Sequence, residues 1–254
     1  MTVHLLLIDA LNLIRRIHAT AQDNPEALQE RCLAAVNKAL RQHRPSHAIL
    51  VWDGGHQNSW RKELYPDYKA HRKPMPEDLA AQLPTLKQQL NALGVGSVEL
   101  PDIEADDLIA TIAVKVVNHD GQVLILSTDQ GFGQLLRPGI RQWDHFEGHP
   151  IDADRLQQKL GVRPEQLLEF WALAGDSGNG IPGVPGIGKK TAQTLLAEHG
   201  SLANIFSEGA VVGKLGERLA NHKAQARLSY ALVRLRQDLT LNLNLAQFRL
   251  KENL

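Results

Sequence analysis

Three short apolar runs, rich in branched residues, each end at or just before an aspartate. Val3–Ile8 runs into Asp9, Ala48–Trp52 into Asp53, and Val123–Leu126 reaches Asp129 after two polar residues. Uninterrupted apolar runs of this length read as buried parallel strands. Open parallel sheets bind ligands outside the carboxyl ends of their strands. The segment Asp102-Ile103-Glu104-Ala105-Asp106-Asp107 adds acids where a helix is expected to begin, and Glu104 and Asp107 share a helix face there. Any one of these residues is ordinarily a turn, a cap or a helix-dipole residue. Together on one sheet edge they repel, unless they share protons or bind cations. All-oxygen donors without Cys or clustered His suit Mg²⁺ or Mn²⁺. The convergence favours a metal site.

Two other stretches carry charge in a pattern. Trp60–Lys73 holds five Lys/Arg and two acids, a local +3, interleaved with Trp60, Tyr65 and Tyr68. It reads either as a solvated surface or as a strip where bases stack and phosphates meet cations. The stretch Ile181–Ala192 is dense in Gly and Pro and opens a helical segment, Lys189–His199. Its glycines let backbone approach a phosphate, amides at the new helix N-terminus point at it, and Lys189 and Lys190 add charge. With a helix expected over Pro164–Ala174, the pattern is a helix-hairpin-helix. A Walker A loop is excluded, because Lys190 stands where Ser or Thr must meet Mg²⁺. Gly175-Asp176-Ser177-Gly178 spells a trypsin-like tetrapeptide in a helical half without the partners that chemistry needs. His145 and His149 lie four apart, but Gly148 and Pro150 argue against the helix a zincin requires.

The elements that must position these groups follow from the pattern. Helices are expected between the strands over Ala27–His43, Leu79–Leu93 and Glu104–Val117, so residues 1–150 read as an α/β domain with a mainly parallel sheet. Residues 151–254 read as helical, over Ala153–Leu160, Pro164–Ala174, Lys189–His199 and Glu217–Leu235. The 254 residues carry 28 Lys+Arg against 28 Asp+Glu. That balance excludes a globally basic nucleic-acid binder and leaves room for a local one. A lone Cys32 excludes a disulfide framework and a Cys-rich zinc site. With no apolar run long enough to cross a bilayer and no signal pattern, a cytoplasmic protein without membrane contact is expected.

The motifs taken in order resemble the bacterial 5′-nucleases of the flap endonuclease class, including the 5′→3′ exonuclease domain of DNA polymerase I. They are Leu7–Ile14, Tyr65–Arg72, Glu104–Asp107, Ser127-Thr128-Asp129 and Gly183–Ala192. The resemblance spans essentially the whole chain. It implies a PIN-like α/β nuclease domain followed by a helix-three-turn-helix module, acting as a monomer on DNA with 5′ flaps or junctions and needing no nucleotide cofactor. It assigns Asp9, Asp53, Glu104, Asp106 and Asp107 to a first metal cluster, with Asp106 foremost, and Asp129 and Asp176 to a second. It gives Tyr68, Lys69 and Arg72 the steering of the scissile phosphate. It places K⁺ on the carbonyls of Leu173, Ala174, Pro182, Val184 and Ile187, and the DNA backbone against Gly186, Ile187, Gly188, Lys189, Lys190 and Thr191. Gly131 and Asn179 stand where the polymerase domain has acids, which implies a weakened second metal. The alternative from another class is a DNA-junction binding protein with vestigial cleavage.

Overall fold

The computed structural model describes residues 2–21, 25–55 and 58–251. They form two compact units. The first comprises residues 1–59, 74–151 and 236–254, and the second residues 60–73 and 152–235. In chain order the elements are β1 (His4–Asp9), α1 (Ala10–Ala21), α2 (Pro25–His43), β2 (His47–Val51), α3 (Trp60–Leu64), α4 (Glu77–Ala92), β3 (Gly96–Val98), α5 (Ala105–Val117), β4 (Gln122–Leu126), β5 (Ile140–Asp144), β6 (His149–Pro150), α6 (Ala153–Leu160), α7 (Leu167–Ala174), α8 (Lys189–His199), α9 (Leu202–Ile205), α10 (Gly213–Asn221) and α11 (Lys223–Val233).

The first unit is built on a six-stranded sheet in the order β3-β2-β1-β4-β5-β6, parallel except for the β5–β6 pair. The three strands expected from the sequence are its centre. Leu5 to Ile8 are buried on both faces, as an uninterrupted apolar run requires when helices cover a parallel sheet. Fully burying side chains of this size contributes about 1.5–3 kcal/mol each. Of the stripe Leu108, Ile109, Ile112, Ala113 and Val116 at helical spacing, helix α5 buries the first four in the core and leaves Val116 half-buried.

The second unit is helical, apart from an isolated bridge between Asp176 and Ile181. The single helix expected over Glu217–Leu235 is two, α10 and α11. They break at His222, whose φ of −117° and ψ of 21° leave the helical region.

The two units interleave, where the sequence suggested contiguous halves meeting at 150. Residues 60–73 belong to the helical unit because Arg61 is buried there. Its guanidinium donates to the carbonyls of Leu232 (2.8 Å) and Arg234 (3.0 Å) and stacks on Trp60. A buried guanidinium is stable only when its donors are so satisfied. The chain after Leu235 returns to the sheet unit. Arg236 N donates to Asp107 Oδ1 (2.9 Å), Thr111 Oγ1 to Arg236 O (3.2 Å), and Lys115 Nζ to Leu239 O (3.0 Å).

Candidate functional site

Strand register decides which acids meet. Ile8 pairs with Leu50 on one side and Leu126 on the other, so β1 ends between the ends of β2 and β4. Ser127, one residue past β4, falls beside Asp9 and donates to its Oδ2 (2.9 Å), while Asn12 N donates to Oδ1 (3.1 Å). Ser127 Oγ in turn accepts from Asp129 N (3.1 Å). Asp53 Oδ1 accepts from Ala105 N at the first turn of α5 (2.9 Å), which uses one of the donors a helix start leaves over. The loop holding Asp53 is zipped to the one leading into α5, through Gly54 N to Ile103 O (3.0 Å) and Asp102 N to Gly54 O (3.0 Å). A Cβ at Gly54 would lie 1.6 Å from the carbonyl oxygen of Leu100, so only glycine permits this approach.

The electrostatics follow from that geometry. Asp9 is buried, and its pKa is pushed up to about 7, first by loss of solvent and further by the charges of Asp53 and Asp129; the bonds from Asn12 and Ser127 oppose the rise. Glu104 and Asp107 are buried as well, and Asp106 is half-buried. Asp107 gives one oxygen to Arg236 N, which ties the returning C-terminal segment to α5. Among the described residues no three His, Cys, Asp or Glu side chains converge into a ready metal cage. Hydrogen bonding accounts for several of them, since Asp9, Asp53 and Asp129 each hold a neighbouring amide. The donors are nonetheless all hard oxygens, and Asp9 carries an electrostatic cost that a cation would relieve. The residues fit a divalent metal.

Arg16 joins the site without a signal in the sequence. Its Nη1 donates to Thr128 Oγ1 (3.0 Å), its guanidinium lies 4.7 Å from the Phe146 ring centre, and Asn12 Oδ1 accepts from Thr128 N and Oγ1. This sets a cation against the residue that precedes Asp129 in the chain. No motif or spacing rule marks it, because its partners lie more than 100 residues away.

In the helical unit the Tyr65–Arg72 motif packs on the Asp176–Ile181 turn. Lys69 N donates to Asn179 O (2.8 Å), and Arg72 donates to Gly178 O (3.2 Å) and Asn179 Oδ1 (2.6 Å). Lys69 has a φ of 54°, uncommon for a side chain of this kind. Its ammonium lies 5.0 Å from the Tyr68 ring centre. Tyr68 itself is buried, its ring packed against Ile181 and Leu232. Asp176 accepts from Gly178 N (3.0 Å) and Asn179 Nδ2 (2.5 Å), one bond on each carboxylate oxygen.

The hairpin opens α8 with Gly188 at its N-cap, no side-chain cap and no acid in the first turn, and both Lys189 and Lys190 are exposed. Ile187 and Val184 are buried and anchor the turn from below. Val184 N donates to Leu173 O (2.7 Å) and Ile187 N to Val184 O (3.0 Å). Gly183 (φ 65°) passes so close to the end of α7 that a Cβ would lie 2.3 Å from Gly175 N. Two further residues hold the turn, neither marked by the motif: Ser229 Oγ accepts from Gly183 N (3.1 Å), and Arg218 donates to Gly186 O (3.2 Å).

Comparison with known proteins divides the chain into two contiguous blocks, near the boundary at 150 and without the exchange of residues 60–73 and 236–254 between the units. Residues 4–161 match the 5′-3′ exonuclease N-terminal resolvase-like domain, and residues 162–253 match the 5′-3′ exonuclease C-terminal SAM fold. The chain is 51% identical over 247 residues to "Flap endonuclease Xni" of Shewanella baltica, covering 96% of this chain and 94% of that protein. It is 50% identical over 250 residues to the protein of the same name in Shewanella woodyi, covering 97% and 98%. Among solved structures it superposes on T5 5′-exonuclease with divalent zinc ions bound at a TM-score of 0.80 and 22% identity, covering 90% of this chain and 88% of that one. A T5 flap endonuclease in a pseudo-enzyme-product complex with DNA and metal ions gives 0.75 with the same identity and coverage. At that identity the likeness establishes the fold.

Proposed function

The chain belongs to the 5′-3′ exonuclease family, and on that premise we propose that it is a structure-selective, Mg²⁺-dependent flap endonuclease. Its substrate is DNA with 5′ flaps or 5′ ends, which it hydrolyses at a phosphodiester bond. In this reading it works as a cytoplasmic monomer without a nucleotide cofactor. The observation that carries the proposal is the meeting of Asp9, Asp53 and Asp129 at the carboxyl ends of β1, β2 and β4, where Asp9 is buried and its pKa is raised by that burial and then by the other two charges. Such a set is costly in a protein that has no use for a cation there.

Asp9, Asp53, Glu104, Asp106 and Asp129 would hold Mg²⁺, which Mn²⁺ can replace. When bound, such an ion supplies Lewis-acid activation of water and stabilises charge on the leaving oxygen. Asp106 is the foremost direct ligand in this reading. Asp107 doubles as the anchor of Arg236. Arg16, Lys69 and Arg72 offer cationic donors to phosphate oxygens; the Tyr68 ring lies 5.0 Å from the Lys69 ammonium, and Asn179 O accepts from Lys69 N. Asp176 keeps the turn that carries Asn179 in place.

The hairpin is read as a grip on the DNA backbone through the amides of Gly186 to Thr191 and the two lysines, contacts that position DNA without reading its sequence. The atoms nearest a Cβ at Gly183 would all be backbone, of Leu173, Ala174 and Gly175. That suits K⁺ on the carbonyls of Leu173, Ala174, Pro182, Val184 and Ile187, two of which already accept an N–H.

One observation favours a second reading. The Asn179 amide occupies the position where the resembled polymerase domain has an acid, which suits a junction-binding protein with vestigial cleavage. Incubating the purified protein with a 5′-flap duplex and a matched single strand, with and without Mg²⁺, separates the two. Mg²⁺-dependent cleavage of the flap supports the enzyme, and retention without cleavage supports the binding module.

A further inference from the structure

Away from the hairpin, the helical unit has a cavity of about 300 Å³ lined by Leu202, Phe206, Lys223, Ala226, Arg227 and Tyr230, among others, and no acidic side chain lines it. Lys223, Arg227 and Tyr230 recur at helical spacing along one face of α11. Lys223 and Arg227 are exposed, and Lys223 Nζ lies 5.7 Å from the centre of the Phe206 ring just past the end of α9. None of these residues belongs to the hairpin, the acidic sheet edge or the Tyr65–Arg72 motif.

We propose that this cavity is a second nucleic-acid site, which seats one unpaired nucleotide of a single-stranded extension. Three observations select that occupant. The cavity is at the lower end of the size range of small-molecule sites, enough for a single base and its sugar. It offers two aromatic rings, Phe206 and Tyr230, and base–aromatic stacking tolerates any sequence because every base has a π-face. Its two cations lie one helical turn apart, roughly 6 Å along the axis, so each can meet one of the phosphates on either side of a seated nucleotide. An aliphatic ligand would leave both charges unused, and a free phosphate would leave both rings unused. The inference rests on the reading of this unit as a DNA-binding module.

The test measures equilibrium binding by fluorescence anisotropy in metal-free buffer at fixed salt. It compares a blunt duplex with the same duplex bearing a short oligo(dT) extension, and repeats both with an acidic peptide containing phenylalanine as competitor. In the wild type the extension should tighten binding by at least roughly fivefold, the lower limit for one stacked base. Lys223→Ala with Arg227→Ala, both exposed and so tolerable to the fold, should lose that increment and bind the blunt duplex as before. Tyr230→Phe, which keeps the ring, should retain it. Three results would overturn the proposal: no increment in the wild type, an equal loss on blunt and extended duplex, or an increment unaffected by the double variant. Displacement by the peptide without any increment from the extension would also overturn it and reassign the cavity to a protein partner. Failure of the parent reading is distinguishable, since the wild type would then bind neither duplex.

Discussion

The side-chain amide of Asn179 donates to Asp176 Oδ2 at 2.5 Å, while its oxygen accepts from Arg72 at 2.6 Å. One neutral residue thus bridges an acid and a base that would otherwise need separate partners. Asn179→Asp replaces the donor by a second carboxylate facing Asp176. Arg72 offsets part of the repulsion, but it is exposed and screened. The metal-free melting point should fall by an amount corresponding to about 1 kcal/mol, and Mg²⁺ should raise it more than in the wild type. Melting curves with and without Mg²⁺ decide this, and an unchanged metal response would show that the amide does not stand in for a cation.

At position 131, where the resemblance leads one to expect an acid, the glycine has a different consequence. A Cβ there would sit 3.0 Å from Asp129 Oδ1, the atom that already accepts the Gly131 amide at 2.6 Å. Adding a carboxylate therefore requires Asp129 to shift by a few tenths of an ångström. In the proposed reading, a bound cation would offset the repulsion between two such carboxylates.

The buried Asp9 sets a pH dependence whose sign is opposite to that of most paired carboxylates. Its pKa is about 7 in the folded chain and roughly 3.9 in an unfolded one. The folded state therefore holds an extra proton between those values, and stability falls as pH rises through that window. A gap of that size corresponds to a loss on the order of a few kcal/mol by neutral pH. Metal-free protein should accordingly melt lower at pH 7 than at pH 5, once other groups are controlled for by Asp9→Asn. That variant should melt higher than the wild type at neutral pH. A variant with the same pH slope as the wild type would contradict this origin.

The central sheet was legible in the sequence because its strands are buried on both faces, which makes them apolar without alternation. The acids were legible because chain direction puts an aspartate at or just beyond each strand's carboxyl end. The interleaving of the units was not, because it hangs on Arg61, whose burial depends on carbonyls at Leu232 and Arg234, about 170 residues away in the chain. Arg16 was equally hidden, since its importance comes from Thr128 and Phe146, which no local pattern connects to it.

Arg16→Ala removes a guanidinium that Thr128 and Phe146 hold in place. As a phosphate donor it should slow single-turnover cleavage by roughly tenfold or more, the value of a charge-assisted bond, with little change in melting point. Arg16→Lys should restore only part of the rate, because a point charge does not reproduce the guanidinium fork. Full activity in Arg16→Ala would remove Arg16 from the phosphate-binding set.

Lys189 and Lys190 are exposed at the first turn of α8. If both meet phosphates, Lys189→Ala with Lys190→Ala should shallow the slope of log K against log salt by about 1.8 on duplex DNA, at roughly 0.9 for each contact. The loss should be similar across sequences. K⁺ must be held constant while another salt varies, because the adjacent carbonyl cradle is read as a K⁺ site. An unchanged slope, or a loss that depends on sequence, would show that these lysines do not contact the backbone.

That the acids at the sheet edge hydrolyse flapped DNA with a divalent ion is tested most directly by one paired measurement. Cleavage and retention of a single 5′-flap duplex are followed in parallel, in Mg²⁺, for the wild type and Asp106→Asn. The wild type should cut the flap and the variant should retain it uncut, with Mg²⁺ affinity lowered in calorimetry and the fold intact. A wild type that retains the flap yet does not cut it in either Mg²⁺ or Mn²⁺, or a variant that cuts as fast as the wild type, would contradict that role for the acids.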